Sequence, residues 1–189
     1  MNSNYKIKKM PPSEFHDLWA KYKREVFEED HSYSLWDMLS KEEVSKVNEL
    51  RKRISDKVEI CLGVFDESDN FVGWSWGFQD SSTSFYMANS AILEEHRRKG
   101  LYSKLVDEMI GLTSKLGFQM IYSRHCATNN FVIIPKLKAG FVISKMEMDD
   151  IFGVLIHLHF YPNKTRRKIM DYRSGQKAPD DELKKLFKI

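Results

Sequence analysis

The residues best equipped for chemistry stand together at Arg97-Arg98-Lys99-Gly100-Leu101-Tyr102-Ser103. An apolar run, Phe85 to Leu93, leads into this basic turn, and an amphipathic stretch follows it. Strand, tight turn and helix start, in that order, make an anion trap. The first N–H groups of a helix lack intrahelical acceptors, and the helix dipole sets about half a positive charge beside them. Gly100 lets the backbone approach a ligand closely, and Arg97, Arg98 and Lys99 add full charges around it.

Two common phosphate loops are excluded. The chain has no G-x-x-x-x-G-K-S/T run, and a dinucleotide fingerprint needs three spaced glycines where this loop has one. After the loop, Leu101, Leu105, Val106, Met109, Ile110 and Leu116 recur at helical spacing, and Gly117 is suited to end the helix. A strand from Gln119 to Cys126 follows, then Asn129-Asn130, a short apolar segment and Lys138-Ala139-Gly140-Phe141. In this context the loop resembles the R-x-x-G-x-G/A motif that binds pyrophosphate in the GNAT family of acetyl-CoA-dependent N-acyltransferases. In that family an Asn after the strand precedes a Gly-Phe pair by eleven residues, as Asn129 precedes Gly140-Phe141. The resemblance covers roughly residues 85 to 148.

The resemblance implies an α/β (α+β) fold with a mixed, mostly antiparallel central sheet of about seven strands flanked by helices. It implies a central strand that parts from its neighbour near Asn89 to Ile92. The pantetheine of acetyl-CoA, or of another acyl-CoA, would pair there with the backbone of Ile92 and Leu93. Its pyrophosphate would rest on the N–H groups of Arg98, Lys99, Gly100, Leu101, Tyr102 and Ser103 beside Arg97. Asn129 would meet the pantetheine or cap the next helix, and no metal is implied. A primary amine of a small molecule, amino acid or peptide would attack the acyl carbonyl directly. That chemistry needs a neutral amine, a donor for the developing oxyanion and a proton for the leaving thiolate.

Four positions depart from the family. Members often place a Tyr four residues before the Gly of Gly-Phe, as acid to the thiolate; Lys136 stands there. Some use a Glu five residues before the motif Asn as base; Arg124 stands there. Tyr102 holds a position usually given to Gly or Ala, and Pro135 removes an N–H from a helical segment, which should be short or kinked. His125, of ordinarily near-neutral pKa, is then the candidate base. Tyr122, with Tyr86 and Ser123 as alternatives, could donate a proton, and Lys136 could stabilise the thiolate. A lysine-type amine costs roughly 4–5 kcal/mol to deprotonate at pH 7, an α-amine about 1. A site without an obvious base suits the α-amine. The alternative reading is a non-catalytic acyl-CoA-binding protein of the same fold.

The remaining elements frame this site. Tyr5 to Met10 reads as a strand, and a helix opening at Ser13 carries Phe15, Leu18, Trp19, Tyr22 and Val26 on one face. A second helical stretch runs from about Ser34 to Ile54, after the acidic run Glu28-Glu29-Asp30. By the resemblance, this pair of helices covers the acceptor side. Val58 to Phe65 and Phe71 to Gln79 form a hairpin whose second strand sets Val72, Trp74, Trp76 and Phe78 against Gly73, Ser75, Gly77 and Gln79. Val142 to Met148 and Val154 to Phe160 form another, with His157 and His159 on one face. Those two histidines could hold a metal but have no acidic or cysteine partner nearby in sequence.

Residues 1–161 form the expected acyltransferase domain, and 162–189 a basic extension docked on it. That extension holds nine Lys/Arg against four Asp/Glu. It suggests a solvated, partly mobile tail, with a short helix over Pro179 to Phe187 docking through Leu183, Leu186 and Phe187 on the body or on a second subunit. A homodimer is thus an open option. A net charge of +3 is too small to argue for nucleic acid. Two cysteines without metal-type spacing suit buried, reduced thiols. No signal peptide or membrane span is evident, so a cytoplasmic location is expected.

Overall fold

The computed structural model describes residues 4–27, 39–52 and 56–189. In chain order the elements are β1 (Lys6–Met10), α1 (Pro12–Val26), α2 (Lys41–Lys52), β2 (Glu59–Phe65), β3 (Phe71–Gln79) and β4 (Ser84–Ile92). A 3₁₀ turn at Glu94–His96 leads to α3 (Leu101–Lys115), β5 (Met120–Cys126), α4 (Asn130–Lys138), β6 (Val142–Asp149) and β7 (Gly153–Phe160). Two helices close the chain, α5 (Lys164–Arg173) and α6 (Asp181–Phe187). The seven strands make one sheet in the order β1-β2-β3-β4-β5-β7-β6. Every pairing is antiparallel except β4 with β5. The mixed, mostly antiparallel sheet expected from the sequence is what forms.

The parallel pair is short. Only Ser84↔Met120, Phe85↔Ile121 and Tyr86↔Tyr122 are in register, after which the two strands part. The fork therefore opens at Met87, earlier than the Asn89 to Ile92 region expected, and a bulge in β4 falls at the same place, between Asn89 and Met87. Beyond the fork β5 stays paired with β7 and β4 with β3, so each strand presents one unpaired edge to the gap.

The sheet has two apolar faces. α3 and α4 cover one, where Leu101, Leu105, Val106, Met109 and Ile133 pack on Ile60, Leu62, Phe85, Met87, Ile121 and Leu158. α1 covers part of the other through Phe15, Leu18, Trp19, Tyr22 and Val26, which meet Cys61, Phe65, Phe71 and Trp74. The alternation expected for β3 fails at one residue. Val64 pairs with Gly73 and Phe65 with Phe71, so Val72 is bulged out of register and packs with the α3 side instead. The small face of β3 allows close strand approach: a Cβ on Gly73 would lie 2.8 Å from the Ala91 carbonyl oxygen.

Two further expectations change. Cys61 is buried but Cys126, at the end of β5, is exposed. The basic extension is folded rather than loose. Arg166 donates to the Gln119 carbonyl at 2.8 Å, Arg167 to the Gly140 carbonyl, and Leu183 is buried while Leu186 remains exposed. Lys168 pairs with Asp180 and Glu182, so the basic cluster at 166–168 is spent on internal partners. The acidic run at 28–30, residues 34–38 and Ile54 lie outside the described residues. Among those described, no helix is long and apolar enough to cross a membrane.

Candidate active site

The basic turn takes the backbone shape that its residue types dictate. Arg98 (φ 60°) and Gly100 (φ 75°) both adopt the left-handed region, turning the chain sharply into α3. No side chain caps the helix, and its first backbone bond is Lys104 N–H to the Gly100 carbonyl. Among the described residues, the six N–H groups of residues 98–103 make no backbone hydrogen bond. That row of donors on a helix end fits a pyrophosphate. The cations divide their work. Arg97 Nε folds back to the Ile92 carbonyl at 3.0 Å, and Lys99 Nζ meets the Tyr5 hydroxyl at 2.8 Å.

Leu93 N–H bonds Val72 across β3, so by strand alternation the N–H and C=O of Ile92 point into the fork. Ile92 thus offers the edge expected of it, sharing its carbonyl with Arg97, whereas Leu93 is turned to β3. Asn129 sits at the N-cap of α4 without a side-chain cap bond, its side chain exposed. Tyr102 does not stand over the loop. Its ring packs against the α3-side core and its hydroxyl is buried without a partner.

Lys136 occupies the vertex of the fork. α4 runs on through Pro135 and delivers this side chain, 1% exposed, between the two parting strands. Its Nζ lies 2.7 Å from Ser123 Oγ and 3.6 Å from Met87 Sδ, the first residues past the last parallel pair. The Phe141 ring lies below it at 5.1 Å. Among the described residues no carboxylate pairs with it, and burial pulls its pKa down to about 7. Ser123 Oγ is also 2.9 Å from His125 Nε2. The ammonium can only donate, so Ser123 accepts from Lys136 and donates to His125. Burial, with the Lys136 charge next, holds His125 down to about 3. The near-neutral base expected at His125 is therefore not there: a neutral imidazole anchors the serine instead.

On the opposite face, beneath the same fork, lies a groove of about 520 Å³, an ordinary size for a small-molecule site. Tyr86 and Tyr122 reach it because they alternate with Phe85, Met87, Ile121 and Ser123 on their strands. Arg124, His157, His159, Lys145, Glu147, Asp80 and Phe78 complete most of the wall. Arg124 lies 3.3 Å from Glu147 and 3.5 Å from Asp149, and His157 bonds Glu147 closely. Burial lowers His157, against the opposing pull of Glu147, and takes His159 down to about 4, where its ring is neutral. Burial and the Asp80 carboxylate raise Tyr122, which stays a phenol. The sequence places Glu147 and His157 on the two strands of one hairpin but leaves the register open, so the meeting of their side chains was missed. The alternation of His157 and His159 was the available signal.

One cluster has metal-type donors. His16, Glu59 and Cys61 bring a nitrogen, an oxygen and a sulfur within 4.8 Å of one another. Burial and the neighbouring Glu59 push the Cys61 thiol up to about 12, so it donates to Glu59 as a neutral group while His16 bonds the same oxygen at 2.8 Å. The cluster is a satisfied hydrogen-bond set.

The model of the acetyltransferase (GNAT) family matches residues 13–141. No curated protein matches the sequence. Among solved structures the chain is similar to an acetyltransferase of the GNAT family from Streptococcus pneumoniae, at 19% identity and TM-score 0.62, covering 85% of this chain and 100% of that one. It is similar to spermidine N-acetyltransferase from Vibrio cholerae in complex with CoA and spermine, at 17% identity and TM-score 0.60, covering 85% and 96%. It is also similar to the ribosomal-protein-S18-alanine N-acetyltransferase from Escherichia coli, at 13% identity and TM-score 0.57, covering 83% and 93%. At these identities the likeness speaks to the fold. The family match spans the basic loop, the fork, Asn129 and Gly140-Phe141, and the chain belongs to the acetyltransferase (GNAT) family.

Proposed function

We propose that this acetyltransferase moves an acyl group, acetyl in the first instance, from acyl-CoA to a primary amine of a small molecule, amino acid or peptide by direct attack. The observation that carries the reading is Lys136, a buried and unpaired cation at the vertex of a fork beside a row of free helix N–H groups. An isolated buried ammonium is costly, and a developing thiolate in the fork would offset that cost. The CoA thioester supplies the activated acyl carbon and the leaving thiolate. The N–H groups of residues 98–103 hold its pyrophosphate, the backbone of Ile92 lines up its pantetheine, and Asn129 is available to the same arm. Lys136 donates its proton to the thiolate as the C–S bond breaks, in the place where related enzymes use a tyrosine. Ser123, held by neutral His125, aims the Lys136 ammonium.

The acceptor enters from the groove face. Neither His125, at about 3, nor His159, at about 4, is basic enough to take a proton from a lysine-type amine. A peptide α-amine supplies its own neutral fraction near pH 7 at a cost of about 1 kcal/mol. A free amino acid, whose α-amine titrates about a unit higher, does so at roughly 3 kcal/mol, still below the lysine-type cost. The test is a calorimetric titration with acetyl-CoA and with CoA, beside an Arg97→Glu/Gly100→Asp double variant, followed by thiol release on an amine panel. Binding to the natural chain that the variant loses, with turnover, supports the reading. Binding without turnover on any amine would return it to a non-catalytic acyl-CoA binder.

A further inference from the structure

The groove wall is too evenly charged for a polyamine. Two carboxylates line it, Asp80 and Glu147, against two cations, Arg124 and Lys145. Glu147 already meets Arg124, His157 and, at 4.0 Å, Lys145, while Asp80 faces the Tyr122 hydroxyl. A polycation would find the Glu147 charge already compensated and only Asp80, whose partner is a neutral phenol, without a cation beside it. Most of the remaining wall is aromatic. Phe78 and Tyr86 meet edge to face at 5.5 Å, Tyr86 and Tyr122 lie 5.0 Å apart, and Tyr122 stacks parallel to His157 at 6.3 Å. His159 adds its edge to Tyr122 at 5.7 Å.

Position along the strands orders these groups. Tyr86 and Tyr122 are the last parallel pair, and His159 continues their row on β7. Arg124, His157 and Lys145 form the next row, one step toward the open fork. Arg124, on a strand that borders the fork, is thus the groove cation nearest the reacting edge. Its Nε reaches the Tyr86 hydroxyl at 3.4 Å and its Nη1 serves Glu147 and Asp149. Nη2, the other terminal nitrogen, takes no part in those bonds. An arginine fork with an uncommitted nitrogen is the standard reader of a carboxylate. The local field nevertheless includes Glu147 and Asp149, so a simple anion is disfavoured and a ligand carrying both signs is matched.

Resting on the acyltransferase reading above, we propose that the acceptor is a zwitterionic α-amino acid with a flat side chain. Its amine faces the fork, its carboxylate meets Arg124, and its ring lies along Tyr86, Tyr122 and His159. Arg124 is then a specificity-determining residue, and polyamines are not substrates.

The test measures CoA release from acetyl-CoA with L-tyrosine, its decarboxylated partner tyramine, L-alanine and spermidine, on the full chain. L-tyrosine should exceed both tyramine, which lacks the carboxylate that Arg124 would bond, and L-alanine, which lacks the ring, in kcat/KM by about tenfold or more. Spermidine should give no turnover above background. Arg124→Gln should raise KM for L-tyrosine about fivefold or more, leave kcat nearly unchanged, and erase the preference over tyramine. Preference for tyramine or spermidine, or no amino-acid turnover by a chain that binds acetyl-CoA, overturns the proposal. The wild-type panel decides this even where the variant fails to fold. Failure to bind acetyl-CoA in the parallel titration would instead remove the acyltransferase reading itself.

Discussion

At the scale of single residues, Lys136 bears on stability and, in the proposed reaction, on rate. Its folded pKa of about 7 lies below its ordinary 10.5, so between those values the unfolded chain binds more protons than the folded one. Stability should therefore rise as pH climbs from about 7 to about 10.5, and the full penalty is present below 7. Lys136→Met should stabilise the free protein at pH 6, by up to about 5 kcal/mol from this source, with the gain fading toward pH 10.5. Urea midpoints across that range check it, and a gain independent of pH would contradict it. The same substitution should cut kcat by about 10² or more, the usual weight of a positioned proton donor. In the proposed reaction the protonated Lys136 is lost above about pH 7 and the neutral amine below the acceptor's own pKa, so kcat/KM should be bell-shaped. Lys136→Tyr should retain measurable turnover and move the alkaline limb upward. Tyr102 offers a simpler case. Its buried hydroxyl has no partner, and Tyr102→Phe should gain about 1 kcal/mol in denaturant unfolding. A loss would mean that the hydroxyl is satisfied.

At the scale of elements, the loop and α3 act as one device. A Cβ on Gly100 would meet nothing within 4 Å, so glycine is needed there for its left-handed conformation and for ligand approach. Gly100→Ala should cost about 1 kcal/mol of stability, the left-handed penalty, and weaken acetyl-CoA by more than that loss explains. Chemical denaturation and calorimetry on one sample separate the two effects. The loop, α3 and their register were legible because capping, glycine and helical spacing are local. The fork was legible only in outline. Its true start at Met87 depends on where β5 stops pairing with β4, and no local preference encodes that. Val72 shows the same limit: its alternation is regular in sequence, yet a bulge against β2 turns it to the other face.

At the scale of the whole molecule, the C-terminal extension completes the domain surface. Asp171 is buried and ion-paired to Arg167 at 2.8 Å and Lys177 at 3.2 Å, and Leu183 is 2% exposed. Leu183→Ala should cost about 2–3 kcal/mol, the range for a buried leucine, read as a lowered midpoint. With Arg166, Arg167 and Lys168 committed to internal partners, the extension should not retain a labelled RNA in fluorescence anisotropy even at low salt. Composition alone had made this segment look like a loose basic tail, because counting charges does not show which are paired.

By itself the sequence determined the basic loop, the helix that follows it, Asn129 and Gly140-Phe141 at their spacing, and hence the family and the mixed sheet. These are properties of short stretches, where backbone geometry and side-chain period are set by neighbours along the chain. The tertiary structure alone decided how residues far apart in sequence share one environment. It placed Lys136 between Met87 and Ser123, and burial there brings its pKa to about 7. It lowered His125 to about 3 by the same burial and the adjacent charge. It also joined Tyr86, Tyr122, Arg124, Glu147 and His157 into one groove. Proton affinity and charge balance depend on desolvation and on cross-strand neighbours, and both exist only once the sheet has formed.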